Sequence, residues 1–140
     1  IIAYQRPENS GSQTIMENQV MKGLKLADAP KELKPTDMEG LVEDIASYDN
    51  SDRAIGYSVY YYANSMYNKD TIKFLKLNGV EPNNKNISSG TYPFTSAYYA
   101  VLNKKSPQDS NERKLLKWIL SDEGQKLAET SGYVPLQVSK

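Results

Sequence analysis

The sequence predicts an α/β fold, because two kinds of segment alternate along the chain. Short segments rich in β-branched and aromatic residues alternate with segments whose apolar residues recur every three or four positions. Such alternation is typical of sheets flanked by helices. The chain of 140 residues is long enough for one compact domain with a sizeable core.

Four segments have the composition of strands. The first opens the chain as a short apolar run, and the second is the tyrosine-rich stretch that follows Arg53. Alternating apolar residues and lysines indicate the third, and a tyrosine-rich run after Phe94 indicates the fourth. The predicted strands cover residues 1–5, 54–62, 71–77 and 96–103.

Two helices are predicted in the first half of the chain. In the first, over about residues 12–22, Met16 and Val20 fall on one face, and Gly23 is a suitable C-terminal stop. Asp37 is expected to cap the second, whose apolar positions include Leu41 and Ile45. Single helical turns are predicted at residues 63–67 and 83–88.

Two further helices are predicted near the end of the chain. Ser106, followed by Pro107, has the pattern of a helix start, and Ser121 offers a second start for a helix ending at Gly132. The first of these helices is expected to bury an apolar stripe. That stripe consists of Leu115, Leu116, Ile119 and Leu120.

The composition excludes several classes of function. Seventeen basic and seventeen acidic residues balance, which argues against a broad surface for nucleic acid or anionic membrane. With no histidine there is no Ser-His-Asp triad, and with no cysteine there is neither a disulfide nor a thiolate metal site. We therefore expect a binding protein rather than an enzyme, without cofactor or metal.

No apolar stretch of the sequence is long enough to span a bilayer, and no signal peptide is visible. The chain starts at Ile1, without a methionine, within a predicted strand. We expect it to be a fragment of a longer protein.

The stretch RPENSGSQT, residues 6–14, carries the candidate binding site. It lies between a predicted strand and a predicted helix, where unpaired amides and the helix dipole favour anions. Gly11 permits close approach of a ligand, Ser10 and Ser12 add hydroxyl donors, and Arg6 offers a planar set of donors. The same residues also fit a simple capping turn beside a surface ion pair.

Glu8 is the unexpected member of this stretch, because a carboxylate repels an anion unless the anion carries a proton. Phosphate does so near neutral pH, since its second ionisation lies near ~6 to 7, whereas sulfate does not. An ionised Glu8, which Arg6 could keep ionised by pairing with it, would accept a hydrogen bond from the O–H of phosphate and would repel sulfate.

Four segments in order resemble a known family. RPENSGSQT resembles the Arg, acidic residue, Ser-Gly-Ser/Thr signature of the phosphate-binding proteins of ABC transporters, the PstS family. RAIGYSVYYYA resembles its Gly-Ala-Ile-Gly-Tyr strand, and ISSGTYPFTSAYYAVLNK its Gly-x-Tyr-Pro segment and the strand after it. SDEGQKLAETSGYVPL resembles its closing helix and Gly-Tyr-Val-Pro-Leu end.

The resemblance implies a lobe of the type II periplasmic-binding-protein kind, with a mixed sheet flanked by helices. The chain would be the C-terminal half of a two-lobed protein. About residues 1–95 would form the second lobe, and about residues 96–140 a crossover strand and helices that pack on the absent N-terminal lobe. The fragment could instead fold back on itself or form a homodimer.

The resemblance also implies a function: an extracytoplasmic component that binds inorganic phosphate and delivers it to an ABC transporter permease. Arg6, Glu8, Ser10, Gly11 and Ser12 fall on family positions that touch or organise phosphate, although Asn9 stands where glycine is common. A cell-surface lipoprotein of a Gram-positive bacterium is the expected setting. The alternatives are a sensor or adhesion domain that kept this fold, and a binding protein for another oxyanion.

Overall fold

Two short parallel strands form the sheet in the computed structural model, which describes residues 1–47 and 52–136. Strand β1 is Ile2–Ala3 and strand β2 is Ala54–Ile55, with Ile2 opposite Ala54 and Ala3 opposite Ile55. Helices lie between the two strands along the chain. Helices combined with a small parallel sheet confirm the α/β class.

The first helical segment begins where the sequence predicted it, within one residue. Helix α1 is Gly11–Ile15, and it continues as a π-helix over Met16–Met21. Lys22 and Gly23 then take left-handed backbone angles, with φ of 47° and 90°, and end the helix. Glycine adopts such angles without a steric penalty, so the predicted stop at Gly23 is confirmed.

Helix α2 is Met38–Ala46, and its predicted cap is confirmed. The Asp37 side chain accepts a hydrogen bond from the Gly40 N–H at 2.7 Å. The helix buries Leu41 and Val42 with Tyr4 and Ala63, and these four are the buried hydrophobic side chains within the described residues. A 3-10 turn over Lys31–Leu33 precedes the helix.

All four predicted strands are absent or shortened, and the one predicted over residues 1–5 is reduced to Ile2–Ala3. The strand predicted over residues 54–62 ends at Ile55, and Tyr62–Met66 forms a π-helix that agrees with the predicted turn at 63–67. Residues 71–77 contain only an isolated bridge between Leu77 and Val80, and residues 96–103 are irregular. A strand needs a partner for its backbone groups, and composition alone does not supply one.

The remaining helices follow in the second half of the chain. Helix α3 is Asn84–Ser88, as predicted, and α4 is Asn111–Ile119. Helix α5 is Asp122–Thr130, capped by Ser121 as predicted. Helix α4 begins after Ser110 rather than Ser106, because a Ser110 N–H to Pro107 carbonyl bond of 3.2 Å closes a turn there.

The predicted burial of the α4 stripe is wrong within the described residues. Leu115, Ile119 and Leu120 are exposed, and Leu116 is half-buried. Helix α5 likewise leaves Leu127 exposed. The helices therefore form from local sequence, but their apolar side chains lack a covering surface in the part of the chain described.

The chain divides into two compact units, one of Ile1–Phe74 and one that begins at Leu75. The first contains both strands, the buried core and all five predicted site residues. No helix of the described residues is long and apolar enough to cross a bilayer. The lobe boundary predicted near residue 96 concerns the whole protein and stays a prediction.

Candidate functional site

The turn between β1 and α1 is shaped by the Ser10 side chain. Ser10 lies in an extended conformation, and its Oγ accepts a hydrogen bond from the Gln13 N–H at 3.1 Å. The Ser10 carbonyl accepts from the Thr14 N–H at 3.1 Å, which closes the first helical turn. The Ser10 Oγ also forms a hydrogen bond of 3.4 Å with the Ser12 Oγ, in which either hydroxyl can be the donor.

Gly11 and Ser12 follow the cap at the first positions of α1. Within residues 1–47 and 52–136, neither backbone N–H has a hydrogen-bond partner, as expected for the start of a helix. Gly11 is exposed, and a Cβ added there would meet nothing within 4 Å. Ser12 is buried, with its Oγ 3.4 Å from the Ser10 Oγ.

Arg6 is buried three residues after β1, with only 5% of its surface exposed. Its Nη1 donates to the carbonyl oxygens of Pro35, at 2.6 Å, and Asp37, and its Nη2 donates to Thr36 at 3.2 Å. The Nε–H is buried and has no partner among the described residues. The guanidinium is thus surrounded by neutral carbonyl groups, which take three of its five N–H donors.

No carboxylate forms an ion pair with Arg6 within the described part of the chain, although Glu8, Glu17 and Asp28 line the same cavity. The ion pairs found there join Arg53 to Asp52 at 3.7 Å and Lys69 to Glu43 at 2.9 Å, and both are solvent-accessible. The predicted pairing of Arg6 with Glu8 is therefore not observed. A buried cation without a countercharge is costly unless an anion reaches it.

Arg6 and Glu8 meet at a cavity of about 150 Å³. Its lining is mixed in charge: the basic residues are Arg6, Lys25 and Lys34, and the acidic ones are Glu8, Glu17 and Asp28. Ser10, Gly11 and Ser12 do not line this cavity. The structure thus places the five predicted residues in two adjacent groups, one at the cavity and one at the start of α1.

Gln13 and Tyr57 connect these groups, and neither was predicted from the sequence. Gln13 lines the cavity, and its N–H holds the Ser10 cap. The Tyr57 hydroxyl donates to Gln13 Oε1 and accepts from the Arg6 backbone N–H at 3.2 Å. Burial is the main cause that raises the pKa of Tyr57 above its ordinary 10.0.

No local sequence pattern indicates this connection. Tyr57 follows Gly56 in the stretch RAIGYSVYYYA, where a strand was predicted, and Gln13 has no distinguishing pattern. Forty-four positions separate them along the chain.

The described residues contain no group of three or more acidic side chains positioned to hold a metal ion.

Curated proteins similar to this chain are phosphate-binding proteins by name. Phosphate-binding protein PstS of Pseudomonas aeruginosa is 34% identical over 102 residues, covering 69% of this chain and 31% of the relative. Phosphate-binding protein PstS 2 of Streptococcus agalactiae is 29% identical over 96% of this chain and 45% of the relative. Phosphate-binding protein PstS of Bacillus subtilis is 24% identical over 97% of this chain and 42% of the relative.

The match covers less than half the length of each of these relatives. No protein-family model matches the chain. No solved structure is a significant match.

Proposed function

Because the chain belongs to the PstS family of phosphate-binding proteins, we propose that it is part of an extracytoplasmic protein that binds inorganic phosphate for an ABC transporter. Its partners are then the transporter permease and the remaining half of the same protein. The fold we propose is a lobe of the type II periplasmic-binding-protein kind.

The observation that carries this proposal is the buried, unneutralised guanidinium of Arg6. Three of its N–H groups satisfy backbone carbonyls, while Nε–H has no partner within the described residues. Neutral carbonyls orient a guanidinium without cancelling its charge, whereas a bound anion would do both. Arg6 therefore favours an anionic ligand over a neutral one at this turn.

The adjacent turn offers donors of the right kind. The N–H groups of Gly11 and Ser12 have no partner among the described residues, and the hydroxyls of Ser10 and Ser12 lie beside them, bonded to each other. Oxyanions are bound by such sets of backbone amides and hydroxyls, and Gly11 leaves open space in front of them. We propose that phosphate lies where this turn adjoins the cavity, within reach of both groups.

Glu8 provides the selectivity in this proposal. It is exposed at the cavity, and no ion pair within the described residues occupies it. The O–H of monohydrogen phosphate can donate a hydrogen bond to the Glu8 carboxylate, whereas sulfate has no O–H group at neutral pH. Sulfate would meet an unrelieved repulsion.

The exposed apolar residues of the second unit support the proposed need for the missing half. Tyr99 is 82% exposed and Val101 89% exposed, and Leu115, Trp118 and Leu127 are exposed as well. Apolar side chains in such numbers are usually covered by another surface. We propose that residues from about 96 onward pack on the absent N-terminal lobe. The alternative is that a second copy of the fragment covers these side chains in a homodimer.

The proposed setting is the extracytoplasmic face of the membrane, as a surface lipoprotein of a Gram-positive bacterium. This follows the family resemblance and the similarity to relatives from Streptococcus and Bacillus. A sensor or adhesion domain, or a protein for another oxyanion, is the competing function. Binding selectivity separates these possibilities.

Calorimetric titration with phosphate, sulfate and a sugar phosphate tests the proposal. It should be run on the longer protein that includes the upstream half, and on this chain alone. We expect phosphate to bind at least about a hundredfold more tightly than sulfate. A site that accepts a hydrogen bond from a ligand O–H rejects an analogue that lacks this group. Failure of the longer protein to bind any of the three would refute the proposed function.

Glu8→Gln is the variant that tests the carboxylate, since glutamine keeps the size and removes the charge. It should weaken phosphate binding and narrow the preference over sulfate. Glu43→Gln, on the exposed surface of α2, is the matched control and should leave both affinities unchanged. Equal affinity of the wild type for phosphate and sulfate would remove the role of Glu8.

A further inference from the structure

A chain of hydrogen bonds joins three separate segments beneath the proposed phosphate turn. The Arg6 N–H donates to the Tyr57 hydroxyl at 3.2 Å, and the Tyr57 hydroxyl donates to Gln13 Oε1. Gln13 Nε2 then donates to Glu17 Oε1 at 2.8 Å. This network connects the segment after β1, the segment after β2 and helix α1.

The donors and acceptors in this network have a single consistent order. A backbone N–H can only donate, so the Tyr57 oxygen accepts from Arg6 and its own proton goes to Gln13. The Gln13 amide oxygen is thereby assigned to Tyr57, which leaves the amide nitrogen for the Glu17 carboxylate. A tyrosine hydroxyl is protonated at neutral pH and able to donate, and burial raises the pKa of Tyr57 further.

Gln13 connects this hydrogen-bond network to the turn. It is 4% exposed, and its backbone N–H is bonded to the Ser10 Oγ that caps α1. A shift of the Gln13 side chain would therefore displace the Ser10 hydroxyl and the neighbouring Gly11 and Ser12 amides. Buried polar networks whose members are all bonded restrict the backbone to one arrangement.

We propose that Tyr57 and Gln13 are positioning residues for phosphate: they touch no ligand but fix the orientation of the Ser10–Gly11–Ser12 donors through the Tyr57–Gln13 hydrogen bond. The inference rests on the proposed function, because it assigns these two residues to the same phosphate site. It predicts that affinity depends on the hydrogen bond itself, and not only on the volume that the two side chains fill.

Two variants remove the hydrogen bond while keeping most of the volume. Tyr57→Phe loses only the hydroxyl, and Gln13→Met keeps an unbranched side chain of similar length without the amide. Each should weaken phosphate binding roughly 3- to 10-fold, the range expected for losing a hydrogen bond that orders a site. Tyr67→Phe, which removes a hydroxyl from the stacked pair with Tyr62, is the matched control and should bind as the wild type does.

A third, double variant restores the hydrogen bonds of the network but moves the carboxylate from position 17 to position 13. In Gln13→Glu with Glu17→Gln, the new carboxylate accepts from the Tyr57 hydroxyl, and the new amide donates to its other oxygen. Phosphate affinity should return to within about threefold of the wild type. Gln13→Glu alone, which sets two carboxylates against each other, should not recover it.

Two measurements on the longer protein test the inference. They are titration calorimetry with inorganic phosphate, and the amide resonances of Gly11 and Ser12 recorded without ligand. We expect Tyr57→Phe and Gln13→Met to shift both resonances, and the exchanged pair to restore them. Unchanged affinity and unchanged resonances in Tyr57→Phe would overturn the inference, as would a loss that the exchanged pair does not reverse. If the wild type binds no phosphate, the proposed function fails, and the ligand-free resonances still show whether Tyr57 orders the turn.

Discussion

The Nη1 of Arg6 lies 2.6 Å from the carbonyl oxygen of Pro35, and this contact fixes the end of β1 to the loop that leads into α2. The same guanidinium also bonds to Thr36 and Asp37, so one side chain satisfies three consecutive carbonyls. Arg6 thus has a structural role beside the ligand role proposed for it.

The double role of Arg6 makes Arg6→Lys a stringent test. An ammonium group lacks the planar arrangement needed to bond three carbonyls, so we expect the free energy of unfolding of the first unit to fall by about 1–3 kcal/mol. Phosphate should also stabilise the variant less than the wild type, since stabilisation by a ligand grows with its affinity. Urea unfolding followed through amide resonances of α2, with and without phosphate, measures both effects.

Arg53→Lys is the control for the Arg6 variant, because the Arg53 side chain is 66% exposed and its contact with Asp52 is long, at 3.7 Å. It should leave the unfolding transition unchanged. An Arg6→Lys protein that is as stable as the wild type and responds equally to phosphate would contradict both roles of Arg6.

Gly11→Ala separates folding from ligand binding. A Cβ at this position meets no protein atom within 4 Å, and alanine favours helices over glycine, so stability should be unchanged or higher by up to about 1 kcal/mol. The added methyl group would occupy the space through which phosphate approaches the Gly11 and Ser12 amides. We therefore expect phosphate affinity to fall about tenfold or more, measured by calorimetry beside thermal unfolding.

Asn18→Ala provides the comparison for Gly11→Ala, since it raises helix propensity at an exposed position away from the turn. Its phosphate affinity should equal that of the wild type. If Gly11→Ala binds phosphate normally, the ligand does not approach the start of α1.

Helix caps were predictable from the sequence, because each depends on residues within one helical turn. Asp37 and Ser121 each accept a hydrogen bond from the N–H three positions later, as predicted, and Asn83, which was not predicted as a cap, does the same. The start assigned to Ser106 was wrong because the Ser110 N–H bonds to the Pro107 carbonyl and closes a turn there, so the helix begins after Ser110, whose side chain makes no capping hydrogen bond. Local chemistry narrows the choice of helix starts but does not always decide between neighbours.

Strands and the supporting residues of the site were less predictable, because both depend on partners distant along the chain. Residues 96–103 have the composition of a strand, yet no partner strand reaches them within the described residues. Tyr57 reaches Gln13 only through the pairing of β1 with β2, which no local pattern specifies. The RPENSGSQT stretch was recognisable because its donors are contiguous in the sequence.

The raised pKa of Tyr57 predicts a specific dependence of stability on pH. Burial raises the pKa most, the Arg6 hydrogen bond and charge lower it, and the Glu17 charge raises it. Because the folded pKa lies above the unfolded value, the contribution of this group is fully present below about pH 10 and is lost as pH rises through the folded pKa. Between about pH 9 and about pH 11, the unfolding free energy should fall more steeply for the wild type than for Tyr57→Phe.

Urea unfolding of both proteins across that pH range, with amide resonances of the first unit as the probe, gives the two slopes. The comparison at about pH 8 serves as the baseline, since Tyr57 is protonated in both folded and unfolded states there. Parallel slopes for the two proteins would mean that the Tyr57 phenol is not held in its protonated form by the fold.

Gly124 predicts how α4 and α5 depend on close backbone contact. A Cβ added at Gly124 would lie 2.6 Å from the Ile119 carbonyl oxygen and closer still to that of Trp118. Neither carbonyl can move without opening the turn between the helices, so Gly124→Ala should lower the stability of this helix pair by about 1–3 kcal/mol despite the better helix propensity of alanine. Trp118, the single tryptophan, lies at this contact, and its fluorescence during urea unfolding measures the change.

Lys126→Ala, at an exposed position of α5, should leave the transition in place. If Gly124→Ala instead stabilises the protein, the carbonyls of Trp118 and Ile119 do not approach α5 as closely as described, and the short turn between the two helices must be wider in solution.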